Sequence, residues 1–294
     1  MGLYEPDKNY AIDTHFHANV FRRPHTRRRR IAAQLSRYTT HLDGLCSTEH
    51  AYKKPLEAYD FLCEMVGHYG LELTIVAGVE NISREGVEVI QLFDSRAALA
   101  SSLKEFPAFS WSIHDALDMQ SPDCVTILPH PFSPSGTGIV SGIGFDRASQ
   151  LLSHFDYIEM SNGSFLEVPL DALPRTKFKE QVEKTTQFPE ELMPCGVGRS
   201  FGSDAHRPED INLFSTLTKG YDESVFQALT MRQNLKPILR TIAEFRAVGK
   251  ISRSLLTSSI EYMQKQDYKL ASKSAKGHGA RSSLAERARS RILG

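Results

Sequence analysis

Short apolar runs alternate with amphipathic stretches along most of this chain. Residues 10–12 form a brief apolar strand that runs into Asp13-Thr14-His15-Phe16-His17. Residues 42–48, 71–79, 87–93, 124–128 and 157–160 read as further strands, rich in aliphatic and β-branched side chains. Between them, residues 55–69 carry Leu56, Tyr59, Leu62, Cys63 and Val66 at helical spacing, behind a proline suited to a first turn. Residues 95–106 and 147–154 also read as helices, and residues 196–202 lead into Ser203-Asp204. Further on, residues 214–219 form a weak strand and residues 223–233 and 241–264 two helices. Residues 174–194 are polar without clean periodicity, which predicts a helix and loop crossing one end of the fold. Strand and helix alternation of this kind predicts an α/β fold with a mainly parallel sheet, open or closed.

The polar residues that break this pattern are not scattered. His15 and His17, the Glu49-His50 pair, Glu80, His130 and the Asp204-Ala205-His206 triplet each sit at or just after the end of a predicted strand. Catalytic groups at the carboxyl ends of several strands point to a barrel. On a strand, residues two apart share a face, so His15 and His17 reach one ion while Phe16 turns to the opposite layer.

The donor types narrow the chemistry. Imidazoles and carboxylates without thiolate suit zinc, manganese or iron. Glu80 ends a buried strand, where an uncompensated carboxylate is costly, and it is placed to bridge two ions. His130 is held between Pro129 and Pro131. Asp13 is placed to orient His15 or His17 through the ring nitrogen that faces away from metal. Arg22, Arg23 and Arg27 to Arg30 put six arginines in nine positions just past the first motif. They read as a solvated loop or as a phosphate clamp, since guanidinium forks match phosphate oxygens. Arg199 is a separate candidate for substrate phosphate.

Bulk properties set outer limits. The net charge is zero, which argues against global attraction to nucleic acid or membrane. No run of about 18 apolar residues occurs, and the first residues carry no signal-peptide core. Four dispersed cysteines, Cys46, Cys63, Cys124 and Cys195, read as reduced thiols of a cytoplasmic protein. Residues 265–294 hold eight Lys/Arg against two acids, a net +6 that leaves the rest at −6, and read as a flexible basic tail. The glycines near residues 136–144 do not open a helix after a strand, so no organic cofactor is predicted.

As a set, Asp13-Thr14-His15-Phe16-His17, Ser47-Thr48-Glu49-His50, Gly78-Val79-Glu80, Pro129-His130-Pro131 and Gly202-Ser203-Asp204-Ala205-His206 resemble the PHP (polymerase and histidinol phosphatase) superfamily. The resemblance spans residues 10–235. It implies a distorted seven-stranded (β/α) barrel of PHP type over residues 1–240, here with a C-terminal helical extension, residues 241–264, and the tail. It also implies two to three divalent ions and phosphoester hydrolysis by metal-activated water. By that likeness His15, His17, Glu80 and Asp204 hold one ion, Glu80 and His130 a second, and His50 with His206 a third. Glu80, Asp204 and His206 would then be catalytic. The family has a further Asp or His past the first motif, where His25 stands somewhat late. It also has a histidine after the bridging glutamate, where this chain has none before His114.

The resulting expectation is a phosphatase for a phosphorylated metabolite or nucleotide. One alternative is a nucleolytic or non-catalytic module that binds nucleic acid through residues 22–30 and the tail. Another is an amidohydrolase, which would want a bridging lysine near mid-chain where this sequence has an early Glu80.

Overall fold

The computed structural model describes residues 8–20, 29–33, 35, 42–117, 121, 123–133, 136–163, 188–206, 214–220, 224–230 and 238–239. Arg22, Arg23, Arg27, Arg28 and His25 lie outside the described residues. So do residues 164–187, the expected helix at 241–264 and the basic tail.

Among the described residues nine strands form one sheet: β1 (Lys8–Phe16), β2 (Gly44–Ser47), β3 (Thr74–Ile82), β4 (Glu88–Phe93), β5 (Cys124–Leu128), β6 (Tyr157–Asn162), β7 (Gly198–Gly202), β8 (Phe214–Gly220) and β9 (Ile238–Leu239). Helices among the described residues include α1 (Pro55–Tyr69), α2 (Arg96–Glu105), α3 (Ile139–Ile143), α4 (Phe145–Leu151) and α5 (Val225–Thr230). Local chemistry explains the clearest boundaries. Pro55 opens α1, and Gly70 closes it at φ 60°, a left-handed conformation that glycine adopts without strain. Ser95 caps α2 by accepting the Ala98 N–H.

The strand order is β7-β6-β5-β4-β3-β2-β1-β8-β9. Parallel pairs run β1 to β2 to β3 and β5 to β6 to β7. The sheet is not parallel throughout, because β4 is antiparallel to both of its neighbours. A tight β3-to-β4 connection turns the chain straight back, with Ser83 N–H donating to Val87 O and Gly86 N–H to Ser83 O.

The first seven strands curl into a nearly closed barrel. The free edge of β1 is shared between two partners. Antiparallel β8 takes residues 8–12. The extension of β7 takes the carboxyl end: Asp204 N–H donates to His15 O at 2.7 Å, His17 N–H donates to Ala205 O at 3.2 Å, and Phe16 bridges Ala205 in parallel. Thr216 of β8 joins the seam by accepting the Phe201 N–H at 2.8 Å.

Side-chain alternation places the interior. Tyr10, Ile12, Cys46, Val76, Ile90, Leu92, Val125, Ile127 and Tyr157 pack together inside the ring as an apolar floor. Ala11 and Phe16 instead join Leu45, Phe61 and Leu62 in the layer outside, under α1. Ile12 and Phe16 have the same parity yet face opposite layers. The inversion falls where the β1 to β2 register shifts, between Asp13 and Phe16. That irregularity turns His15 and His17 inward, above the floor.

Candidate metal centre

One end of the barrel interior gathers the polar residues that the strands deliver. β1 supplies His15 and His17; the turn after β2 supplies Glu49 and His50; β3 supplies Glu80; β4 supplies Glu88; the turn after β5 supplies His130; β6 supplies Glu159; and the chain past β7 supplies Asp204 and His206. All except His206 are buried. His130 and Asp204 hold φ at 28° and 45°, which non-glycine residues seldom adopt. Such conformations persist only where surrounding structure enforces them, and they gather at functional sites.

Glu80 is the hub. Its Oε1 lies 3.3 Å from His15 Nε2 and 3.2 Å from His130 Nε2. Its Oε2 lies 2.7 Å from His50 Nδ1 and 3.4 Å from His17 Nε2. Asp204 Oδ1 sits 3.5 Å from His15 Nε2 and 3.3 Å from His17 Nε2, and His206 Nδ1 is 3.2 Å from the same oxygen. The two Nε2 atoms of His15 and His17 face each other at 3.0 Å. His17 stacks on His50 and on His206, each with ring centroids 4.3 Å apart.

A second layer holds these groups in place. Glu159 Oε1 meets His15 Nδ1 at 3.1 Å, and its Oε2 accepts the His130 N–H at 2.8 Å and an Asn162 amide N–H at 3.0 Å. The same Asn162 amide nitrogen lies 3.0 Å from Asp204 Oδ2. Glu49 accepts the backbone N–H of Asn19 and of His50, and lies 3.7 Å from His17 Nδ1. Asp13 Oδ1 accepts the N–H of His15 and of Ser203, so it ties the β1 and β7 backbones together. This corrects the expected role of Asp13: the ring nitrogen of His15 is met by Glu159. Gly202 permits this approach, since a Cβ there would lie 2.4 Å from His15 Cβ and 2.8 Å from Glu159 Oε1.

The electrostatics follow from crowding. Burial works against ionisation of Glu80, but the His50 and His15 imidazoles beside it and the His130 hydrogen bond outweigh it and hold the carboxyl well below its ordinary range. Asp204 is lowered against burial in the same way, chiefly by His15 and His206. Burial opposes protonation of His17 and His130, yet carboxylates beside them raise both to about 9. Burial, reinforced by the His17 charge, lowers His50 to about 3, which keeps its lone pair available. Burial, with the Glu80 charge, raises Glu88 to about 7. The cluster is a nest of carboxylates that calls for positive charge, and in the metal-free protein protons on His15, His17 and His130 supply it.

The donors fit a divalent ion. Among the described residues, four groups of three place one ligand atom each within 4.8 Å of one another: His15, His17 and Glu80; His15, His130 and Asp204; His50, Glu80 and Glu88; and His17, His50 and His206. With metal-to-ligand bonds of about 2.0–2.2 Å, ligand atoms around one ion stand about 3–3.6 Å apart. The Glu80 and Asp204 contacts to His15 and His17 match that spacing. The Nδ1 atoms of His17, His50 and His130 are buried without a hydrogen-bond partner, an arrangement that needs an explanation.

Of the residues singled out from sequence, His15, His17, His50, Glu80, His130, Asp204 and His206 converge in this one place. His114 is exposed on a short 3-10 segment outside all four groups. Arg199 lies near the amino end of β7, ion-paired with Glu190 at 2.9 Å. Glu88 went unread although it starts a strand with an acidic residue in an apolar stretch, and Glu49 and Glu159 were not read as supports.

No family model matches the sequence, and no curated protein matches it. Solved structures do. The novel lesion-specific endonuclease PfuEndoQ from Pyrococcus furiosus aligns over 80% of this chain and 60% of its own, at 10% identity and a TM-score of 0.50. PsfC from Pseudomonas syringae PB-5123 aligns over 88% of this chain and 99% of its own, at 15% identity and 0.49. An Endonuclease Q complex with a 27-mer duplex substrate carrying an abasic lesion gives 10% identity and 0.46, over 76% and 56%. This chain thus spans well under two thirds of the endonucleases' length. The likeness to PfuEndoQ is one of fold.

Proposed function

We propose that this chain is a metal-dependent hydrolase of phosphoesters. The observation that carries the reading is the convergence of His15, His17, His50, Glu80, His130, Asp204 and His206, from five separate segments, around the two oxygens of Glu80. Divalent ions held by these residues would supply an activated water and neutralise charge on the phosphoryl oxygens. His15, His17, Glu80 and Asp204 would hold the first ion, with Glu80 shared towards His130 and towards His50 and His206. A glutamate whose two oxygens face different imidazoles suits such sharing. It also occupies the bridging place where an amidohydrolase would want a lysine.

The chain's own groups account for the rest of the reaction. His206 is the outermost imidazole of the cluster, with its Nδ1 held by Asp204. When His206 does not hold an ion, its other ring nitrogen can give the leaving oxygen a proton as the phosphorus-to-oxygen bond breaks. Glu159, Glu49 and Asp13 keep the donors in position. Outside the cluster, Tyr52 stacks on His50 at 5.0 Å and 14°, and Phe109 continues the stack at 5.9 Å and 28°. Phe109 holds φ at 65° there. This half-buried aromatic edge favours a phosphomonoester with a planar leaving group, such as a nucleotide. The fold shared with an endonuclease favours a second substrate, a polynucleotide.

One assay separates these readings. The full chain is stripped with chelator, reloaded with manganese or zinc, and offered p-nitrophenyl phosphate, nucleoside monophosphates and single- and double-stranded oligonucleotides. Phosphate release that needs metal supports the monoesterase, and internal cleavage supports the nuclease. A chain that binds metal and cleaves none of them would overturn the hydrolase.

A further inference from the structure

We propose that Glu88 completes a carboxylate-rich cation site with His50 and Glu80, and that this site takes an oxygen-preferring ion, manganese(II), beside an imidazole-rich position built by His17, His50 and His206. The proposal rests on the metal-dependent reading above and adds a donor that the strand-end motifs do not contain.

His50, Glu80 and Glu88 each place a ligand atom within 4.8 Å of the others, and His130 flanks the two carboxylates. His50 Nδ1 lies 2.7 Å from Glu80 Oε2 and 3.7 Å from Glu88 Oε1. His130 Nε2 lies 3.2 Å from Glu80 Oε1 and 3.7 Å from Glu88 Oε2. Each imidazole nitrogen is therefore flanked by one oxygen from each carboxylate. Glu88 is 6% exposed and Glu80 1%, so water is largely shut out. Two buried carboxylates on opposite sides of a small space repel unless a cation lies between them.

An independent observation points to a ligand. His50 is 7% exposed, and its Nδ1 has no hydrogen-bond partner. It lies 2.7 Å from Glu80 Oε2 without meeting hydrogen-bond geometry. Glu88 is also held: Thr137 hydrogen-bonds its carboxylate, and its own N–H donates to Thr137 O at 2.9 Å. A side chain tethered at both ends sits in place before an ion arrives.

The two positions differ in donor chemistry. Two carboxylates and one imidazole offer several oxygens to an ion that accepts six ligands, which suits manganese. Three imidazoles suit zinc. The shared His50 makes the two positions compete for one ring.

The test measures metal binding without substrate. The full chain is stripped with chelator and titrated with manganese, followed by electron paramagnetic resonance, and with zinc, followed by calorimetry. Glu88→Gln keeps the shape and removes the charge. It should weaken manganese binding at least about tenfold, with zinc binding changed much less. Glu88→His should move the preference towards zinc, and circular dichroism reports whether each variant is folded. Manganese affinity in Glu88→Gln within twofold of wild type, or equal losses for both metals, would overturn the role of Glu88 and leave the hydrolase standing. Wild-type protein that binds neither metal would overturn both.

Discussion

His15 Nδ1 and Glu159 Oε1 meet at 3.1 Å, 144 residues apart in the chain and fully inside the barrel. Each lies at a register irregularity: β1 shifts against β2 between Asp13 and Phe16, and β6 shifts against β7 between Glu159 and Ser161. Glu159 then fixes which His15 nitrogen is left to face Glu80 and Asp204.

Glu159→Gln should therefore weaken metal binding about 10- to 100-fold, although Glu159 faces the back of His15 and lies outside every donor group. Calorimetry with zinc or manganese measures the loss. An unchanged affinity would show that His15 is aimed by other means.

Glu80→Gln removes the charge shared by four imidazoles while keeping the shape of the side chain. Metal-dependent hydrolysis should fall at least about 100-fold, with secondary structure intact by circular dichroism. Retained turnover would count against a bridging role.

The pH dependence has a definite sign. His17 and His130 rise to about 9, above their ordinary 6.5, when the protein is folded and metal-free. Their contribution to stability is fully present below about 6.5 and is lost as the pH climbs through about 9. In chelator, the melting temperature should fall between pH 7 and pH 9.5. Metal must displace the same protons, so its apparent affinity should climb across that interval and its binding should release protons. Parallel melts with and without zinc test both halves.

Two glycines should respond in opposite ways to alanine. Gly202→Ala drives a methyl group into His15 and Glu159, and should cost about 1–3 kcal/mol and weaken metal binding. Gly67→Ala, in α1, meets nothing within 4 Å and should stabilise by about 0.5–1 kcal/mol. Urea denaturation of both variants provides the comparison.

The strand-end rule made much of the site readable. His50, Glu80, His130 and Asp204 stand where parallel strands end, and their alignment on one rim follows from the direction of those strands. Glu88 escaped because β4 runs the other way. Its first residue, not its last, lies on the rim, with Glu88 paired to Ile82 just past Glu80. The inward turn of His15 and His17 was legible locally, as was the outward turn of Phe16. That Ile12 also points inward was not, since a register shift leaves no mark on apolar alternation. The supporting carboxylates were hidden for another reason. Glu49 and Glu159 face the ring nitrogens of His17 and His15 behind the cluster, a direction that position at a strand end does not give.

The divided edge of β1 bears on how the molecule is made. The Ser203 hydroxyl reaches the carbonyl of His15 across 188 residues, and Asp204 follows it. A chain emerging from the ribosome presents its first two imidazoles long before the aspartate that faces them exists. Ions captured early would meet an incomplete cage, so loading belongs to the last steps of folding.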